Sequence, residues 1–232
     1  MKPLQAPVKR PLRVASDLNN PPFIFLKDEK PAGRDVEMMQ SIAEELGLTL
    51  EWRQMPFAEL LAALTRHEVD VVCSTVGITP ERAVRVNFSR PYYDTDIAVV
   101  VQSADGEAET LADLRGRRVG AAPGTTSERA VRRQLPGSTG VFEPQAERTL
   151  EEMLKLKEID ALVMDGPAAD LMVAESQGVL RQLPENLGSE YYALAFAKGN
   201  TRLMTVINRI LDHLEAVGKF HEWDRKYQLP EK

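Results

Sequence analysis

The sequence predicts an α/β protein of two lobes, each wound from βαβ units and joined by a two-strand hinge. Three observations predict it. Residues 12–73 run strand, helix, strand, helix, strand, an order that imposes a parallel sheet with right-handed crossovers. Residues 149–165 repeat that logic, a helix feeding an apolar strand that ends on an acidic residue, Asp165. Two further apolar strands, near Val99 and near Tyr192, carry the chain out of the first lobe and back, a geometry that permits closure around a bound molecule. The expected lobes are residues 11–100 with 195–232, and residues 101–194, behind a polar, proline-rich leader at 1–10.

Each element has a local cause. Residues 12–16 (LRVAS) read as a strand, and the Asn- and Pro-rich stretch 17–22 as a turn. A helix follows over 33–46, with Asp35 as its N-cap, Val36, Met39, Ile42, Ala43 and Leu46 on one face, and Gly47 as its stop. Residues 48–52 alternate as a strand, and 57–66 form a second helix with Leu60, Leu61 and Leu64 inward. Residues 69–73 (VDVVC) are dense in β-branched side chains, as in an interior strand. They run into a turn where Thr79 caps a helix, Pro80 takes its first position and Arg82 follows.

In the second lobe, residues 111–114 form a short helix and 118–122 a strand that enters Pro123-Gly124-Thr125-Thr126. Thr125 with Glu128, and Thr149 with Glu152, have the spacing of capping boxes. Residues 191–196 (YYALAF) read as one returning strand, and a long amphipathic helix to about Val217 and a short one at 220–227 close the chain.

At 232 residues the chain is long enough for two modest domains with real cores. A net charge of -6 without a broad basic patch excludes nucleic acid as a partner class. The single cysteine, Cys73, excludes an internal disulfide and a cysteine-built zinc site, and its apolar strand makes it a buried, inert thiol. His67, His213 and His221 fall on helices or their ends and are not spaced as ligands, so neither metal nor cofactor is expected. No apolar run approaches the roughly 18 residues of a membrane span. The opening segment has no apolar centre and is not a secretory signal: the protein is cytosolic, or an export signal is missing from this sequence.

The candidate site rests on two charges. Arg82 sits beside unpaired backbone N–H groups in the first turn of a helix, a place to hold a carboxylate. Taken alone, it reads equally as a solvated surface salt bridge. Asp165 ends its strand with the opposite sign, so a cleft between the two would suit a ligand carrying both charges. The helix opened by Thr125 and Thr126 could turn its free N–H groups toward the same ligand, or be a well-capped turn and nothing more.

These residues also carry a resemblance. LRVASD with PPF, Gly33 and Asp35 before a helix, VDVVCSTVGITPERAVRVNFSRPYYDT, LADLRGRRVG, Gly124-Thr125-Thr126, IDALVMD and ALAFAKGN run in an order similar to the family 3 extracellular solute-binding proteins, the polar-amino-acid receptors of ABC importers. The resemblance implies a type II periplasmic-binding-protein-like fold, a monomer outside the cytoplasm, and delivery of an amino acid or related carboxylate to a membrane permease. It implies that Arg82 takes the ligand α-carboxylate, helped by Ser74, Thr75, Gly77 and, from the other lobe, Thr126 with its neighbour Thr125. Asp165 would take the α-ammonium, Asp17 and Asn20 would face the side-chain pocket, and Phe57 would supply an aromatic wall. The chain departs from the family pattern at Gly77, often Ser or Thr, at Asn20, often aromatic, and at Arg34, usually aromatic. No nucleophile with a base can be placed, which points away from an enzyme. The alternatives are a dehydratase for cyclohexadienyl substrates on the same scaffold, with Asp165 or Asp17 as general acid, or a sensor module of a larger receptor.

Overall fold

Alternating apolar strands and amphipathic helices give the chain two units with separate cores. Residues up to Pro91 and from Ala193 onward form unit 1, and Tyr92–Tyr192 forms unit 2. The computed structural model describes residues 10–106, 108–142 and 148–230; the leader expected at 1–10 lies, but for Arg10, outside them.

Unit 1 begins with strand β1 (Leu12–Ser16), followed by β2 (Asn19–Asn20), β3 (Ile24–Lys27) and β4 (Lys30–Ala32). Helix α1 (Arg34–Leu46), β5 (Leu50–Gln54), α2 (Phe57–Thr65), β6 (Val71–Val72), α3 (Pro80–Arg85) and β7 (Val86–Phe88) complete its first pass. Unit 2 contains β8 (Tyr93–Gln102), a 3-10 turn (Leu111–Leu114), β9 (Arg118–Gly120), α4 (Thr126–Gln134), β10 (Thr139–Val141), α5 (Leu150–Lys155), β11 (Ala161–Asp165), α6 (Gly166–Glu175), β12 (Leu180–Gln182) and β13 (Ser189–Tyr192). The chain then returns to unit 1 as β14 (Ala195–Ala197), α7 (Thr201–Ala216) and α8 (Lys219–Lys226).

The main sheet of unit 1 has the order β5-β1-β6-β14-β7, and that of unit 2 the order β10-β9-β11-β8-β12 with β13 also on β8. Both are mixed rather than parallel. The βαβ strands run parallel, as the crossovers demand, but β14 is antiparallel to β6 and β7, and β8 is antiparallel to β11 and β12. Each antiparallel strand is one that joins its sheet from the far side of a unit crossing.

Strand β8 shows why an uninterrupted apolar run is needed. Val99 and Val101 face a cluster with Val119, Ala121, Ala161 and Val163, while Ala98 and Val100 face another with Leu154, Ile159 and Leu162. A strand covered on both faces loses the apolar–polar alternation of a half-exposed one. In unit 1, Leu60, Ala63 and Leu64 of α2 pack on Ala15, Val72 and Ala195. Cys73 is fully buried there, and burial, then the charge of Asp35, pushes its thiol well above the usual range.

Four local expectations change. The stretch read as a turn at 17–22 opens a three-stranded sheet, β2-β3-β4, whose short strands carry no long apolar signal. Gly33, not Asp35, stands at the N-cap of α1: its φ is 118°, and a Cβ there would lie 2.3 Å from the Phe23 carbonyl oxygen. Asp35 instead lies buried inside the first turn, beside the Arg34 guanidinium at 3.3 Å. Residues 191–196 are two strands in different units, because the Ala193 N–H bonds to Val76 O at 3.1 Å and the Leu194 N–H to Ser89 Oγ at 2.9 Å. At Thr125 only half the capping box forms, since Glu128 accepts from the Gly124 N–H at 2.7 Å; the Thr149–Glu152 box is complete.

Candidate functional site

Unit 1 collects polar side chains at the C-terminal ends of β1 and β6, which are parallel neighbours paired Val14 to Val71 and Ala15 to Val72. Such ends are where open α/β sheets place ligands, because adjacent strands release their chains side by side there. Ser16 donates to Ser74 Oγ at 3.2 Å, the Asp17 N–H donates to the same oxygen at 3.2 Å, and the Ser74 hydroxyl donates to the Asp17 carboxylate. Asn20 Nδ2 reaches Thr75 Oγ1 at 2.7 Å. Leu18 and Thr75 both have positive φ, 53° and 45°. For a β-branched residue that is a strained backbone, held here by burial and by the Asn20 bond.

Arg82 enters from α3. Thr79 caps that helix, accepting the Arg82 N–H at 3.2 Å, with Pro80 at the first position. The half-buried guanidinium donates to the Gly77 carbonyl at 2.7 Å and lies 5.4 Å from the centre of the Phe57 ring. One edge of its fork is thus braced by backbone and one face by an aromatic ring, a geometry that orients a planar cation for a two-bond grip on a carboxylate. Asp17 is raised above the ordinary carboxylate range by burial, which the Ser74 hydroxyl and backbone bonds oppose.

In unit 2 the expected residues are fewer and the charge among them is of opposite sign. Asp165 is the last residue of β11 and the N-cap position of α6, yet its carboxylate makes no cap bond to that helix. It lies instead against the Tyr192 phenol: burial first, then the negative charges of Asp165 and Glu190, raise that phenol well above its normal range. Thr126, the first residue of α4, donates its hydroxyl to Glu190 Oε1 at 2.6 Å. Thr125 uses its hydroxyl locally, donating to the Ala122 carbonyl at 2.6 Å and accepting the Glu128 N–H at 3.2 Å.

Of the ten residues expected at the site, seven lie in unit 1 (Asp17, Asn20, Phe57, Ser74, Thr75, Gly77, Arg82) and three in unit 2 (Thr125, Thr126, Asp165). Within unit 1 they form three bonded groups: Asp17 with Ser74, Asn20 with Thr75, and Arg82 with Gly77 and Phe57. Within unit 2, Thr126 and Asp165 are linked through Glu190 and Tyr192, neither of which the sequence analysis expects at the site. The signal for Glu190 was present: it is a carboxylate in the strand SEYY, sharing the buried face with Tyr192. Among the described residues, no group of three or more His, Cys, Asp or Glu side chains is placed to hold a metal, and no helix is long and apolar enough to cross a membrane.

Relatives share this plan along almost the whole chain. It is 30% identical to the L-cystine-binding protein of Escherichia coli over 209 residues, 89% of this chain and 78% of that one. It is 27% identical to the L-arginine-binding protein of Pseudomonas aeruginosa over 227 residues, 94% and 88% of the two chains. The solved structure of an ancestral arginine-binding protein bound to arginine superposes with a TM-score of 0.88 at 30% identity, covering 95% of this chain and 99% of that one. An ancestral amino acid-binding protein described as a precursor of cyclohexadienyl dehydratase superposes with a TM-score of 0.85 at 26% identity over 93% and 94%. The fold is that of the type II periplasmic binding proteins. With residues 12–230 matching its pattern, the chain belongs to the bacterial extracellular solute-binding proteins, family 3.

Proposed function

We propose that this protein is a non-catalytic receptor for an amino acid, outside the cytoplasm, that hands its ligand to an ABC permease. Arg82 takes the ligand carboxylate, with Ser74, Thr75 and Gly77 around it. Thr126 joins them on the carboxylate, Asp165 takes the ammonium, and Asp17, Asn20 and Phe57 line the side-chain pocket. The observation that carries the reading is the braced Arg82 fork, held by the Gly77 carbonyl at 2.7 Å and stacked 5.4 Å from Phe57, in a family whose relatives bind arginine, cystine and other amino acids. An arginine positioned this way is prepared to meet a carboxylate at little further conformational cost.

The dehydratase alternative draws on the ancestral precursor structure. It needs a general acid, and Asp17, raised by burial, has the chemistry for one. Its hydrogen bond from Ser74 and the strained, polar turn around it serve ligand binding equally well, so the receptor reading stands first.

The test is calorimetry and thermal melting with L-arginine, L-histidine, L-glutamine and L-cystine, beside mass spectrometry of any ligand that co-purifies. A ligand bound only by the native state, at a hundred times its dissociation constant, stabilises by about 2.7 kcal/mol. No melting shift with any of the four and no retained amino acid would overturn the proposal; turnover of prephenate or arogenate would favour the enzyme.

A further inference from the structure

Arg34 departs from the family pattern in a way that the binding set does not account for. A guanidinium stands where an aromatic ring is usual, and it is fully buried. A charge so placed is costly unless it is paired and hydrogen-bonded. Three parts of unit 1 meet it. On α8, Asp224 accepts from Arg34 Nε at 2.6 Å, and Phe220, one helical turn earlier, has its ring centre 5.1 Å from the guanidinium carbon. On α1 itself, Asp35 accepts from a terminal guanidinium nitrogen at 3.3 Å. Between β2 and β3, the centre of the buried Phe23 ring lies 6.0 Å away.

Phe23 belongs to the turn that presents Asn20. The Phe23 N–H donates to Asn20 O at 3.0 Å, and the first turn of α1 holds the same turn by its backbone. There the Arg34 N–H donates to Pro22 O at 3.2 Å and the Asp35 N–H to Phe23 O at 2.8 Å. Asn20 Nδ2 then reaches Thr75 Oγ1 at 2.7 Å. Contacts thus run without a break from Asp224 through Arg34 and Phe23 to Asn20, the residue given to the ligand side chain above.

We propose that Arg34 is a positioning residue of the side-chain pocket: anchored to Asp224 of α8, it seats Phe23 and so fixes where Asn20 stands beside Thr75. The inference rests on the receptor reading above, and it makes the last helix of the chain part of what sets ligand preference. A guanidinium suits the task because its faces stack on rings while its edge bonds carboxylates in plane, which an ammonium cannot copy. An aromatic side chain at this place could pack against the rings but could not bond Asp224.

The experiment uses the full chain. Calorimetry with L-arginine, L-histidine, L-glutamine and L-cystine is run on wild type, Arg34→Lys, Asp224→Ala, Asp224→Asn and Asp70→Ala. NMR of the unliganded proteins follows the Asn20 side-chain amide, assigned by its loss in Asn20→Ala. Arg34→Lys and Asp224→Ala should each weaken the tightest ligand about fivefold, change its ratio to the next ligand by about twofold or more, and move the Asn20 resonance. Asp224→Asn, whose amide oxygen still accepts from Nε, should recover most of the affinity. Asp70→Ala, at the opposite ends of the strands, should lower the melting temperature yet leave affinity, ratio and resonance unchanged. In the Asn20→Ala background, Arg34→Lys should change affinity by no more than about twofold, because the group it acts through is gone.

Wild-type affinity in both Arg34→Lys and Asp224→Ala, an unmoved Asn20 resonance in both, or a loss that persists undiminished in the Asn20→Ala background would overturn the proposal. So would Asp70→Ala reproducing their effects, since general loosening of unit 1 would then be the cause. Should Arg34→Lys fail to fold, Asp224→Ala takes its place in every comparison. Failure of the receptor reading looks different: wild type would bind none of the four amino acids, while the Asn20 resonance, read without ligand, would still answer to Arg34.

Discussion

Units 1 and 2 share a scaffold down to its ion pairs. The order β5-β1-β6-β14-β7 in one corresponds to β10-β9-β11-β8-β12 in the other, with parallel and antiparallel neighbours in the same places. In unit 1, Arg13 of β1 donates from its backbone N–H, at 3.0 Å, and from its guanidinium, at 3.0 and 2.8 Å, to Asp70. In unit 2, Arg118 of β9 does the same to Asp160 at 2.8, 3.1 and 2.8 Å. Each arginine also reaches a carbonyl just past the helix that leads to its aspartate, Glu68 past α2 or Lys157 past α5. The helices before them end alike, with His67 and Lys157 left-handed at φ 57° and 60°.

The difference lies at the opposite ends of the same strands. At and past the ends of β1 and β6 stand Ser16, Asp17, Ser74 and Thr75 with Arg82 beyond, a dense hydrogen-bonded rim that carries a braced cation. At and past the ends of β9 and β11 stand Ala121, Ala122 and Asp165, with Glu190 and Tyr192 supplied from β13. A repeated scaffold therefore fixes where a site falls, and the residues released at strand ends decide its charge.

The comparison can be broken most severely at the two charges. Arg82→Ala and Asp165→Ala should each weaken amino-acid binding by about 2–5 kcal/mol, read by calorimetry, because each leaves one ligand charge desolvated and unpaired. Equal and unchanged affinities would show that the charged rims are not the grip. Next come the clamps: Asp70→Ala and Asp160→Ala should each cost about 1–3 kcal/mol in denaturant unfolding. Asp70 should cost more, since Arg10 also reaches it at 2.7 Å.

Acid should treat the carboxylates differently. Despite the opposing effect of burial, hydrogen bonds from Arg13 and the charges of Arg13 and Arg10 hold Asp70 below its usual range; the Arg118 side-chain bond does the same for Asp160 against burial. Their contribution is present above the unfolded value, about 3.9, and is lost as pH falls through the lower folded value. Asp17 has the reverse sign. Its folded form holds a proton to higher pH than the unfolded chain does, so burying it costs stability above its raised value and that cost fades on acidification. Asp17→Asn should accordingly be slightly more stable than wild type at pH 7, by less than about 1 kcal/mol, and lose that advantage near pH 4 in melting curves.

The smallest expected effect probes packing. Gly120 in β9 stands where β1 has Ala15, and a Cβ there would lie 2.6 Å from Ile159 Cδ1, the far end of a flexible side chain. Gly120→Ala should cost about 1 kcal/mol, and adding Ile159→Val, which removes the facing methyl, should recover most of it.

What the sequence made legible follows from the same physics. The strands and helices of the βαβ frames announced themselves because periodicity and caps are local: Thr79, Pro80, Gly47 and the Thr149–Glu152 box all do what their spacing predicts. The β2-β3-β4 sheet was hidden because strands of two to four residues leave no period to read. The break inside YYALAF was hidden because hydrogen bonds from Ala193 and Leu194 to residues more than a hundred positions away decide it. Glu190 was legible as a carboxylate sharing a strand face with Tyr192, but not its partner Thr126, which lies 64 residues away in sequence and only the folded chain brings near.

Cys73, deep in unit 1 and fully shielded, has a practical consequence. With no other thiol in the sequence, a cysteine introduced at an open position such as Val84, 78% exposed on α3, would be the sole site a maleimide dye meets in the native protein. A fluorescent reporter two residues from Arg82 could then be attached without first removing the natural cysteine. The native thiol would stay silent until the chain unfolds, so its labelling rate doubles as a clock for global opening.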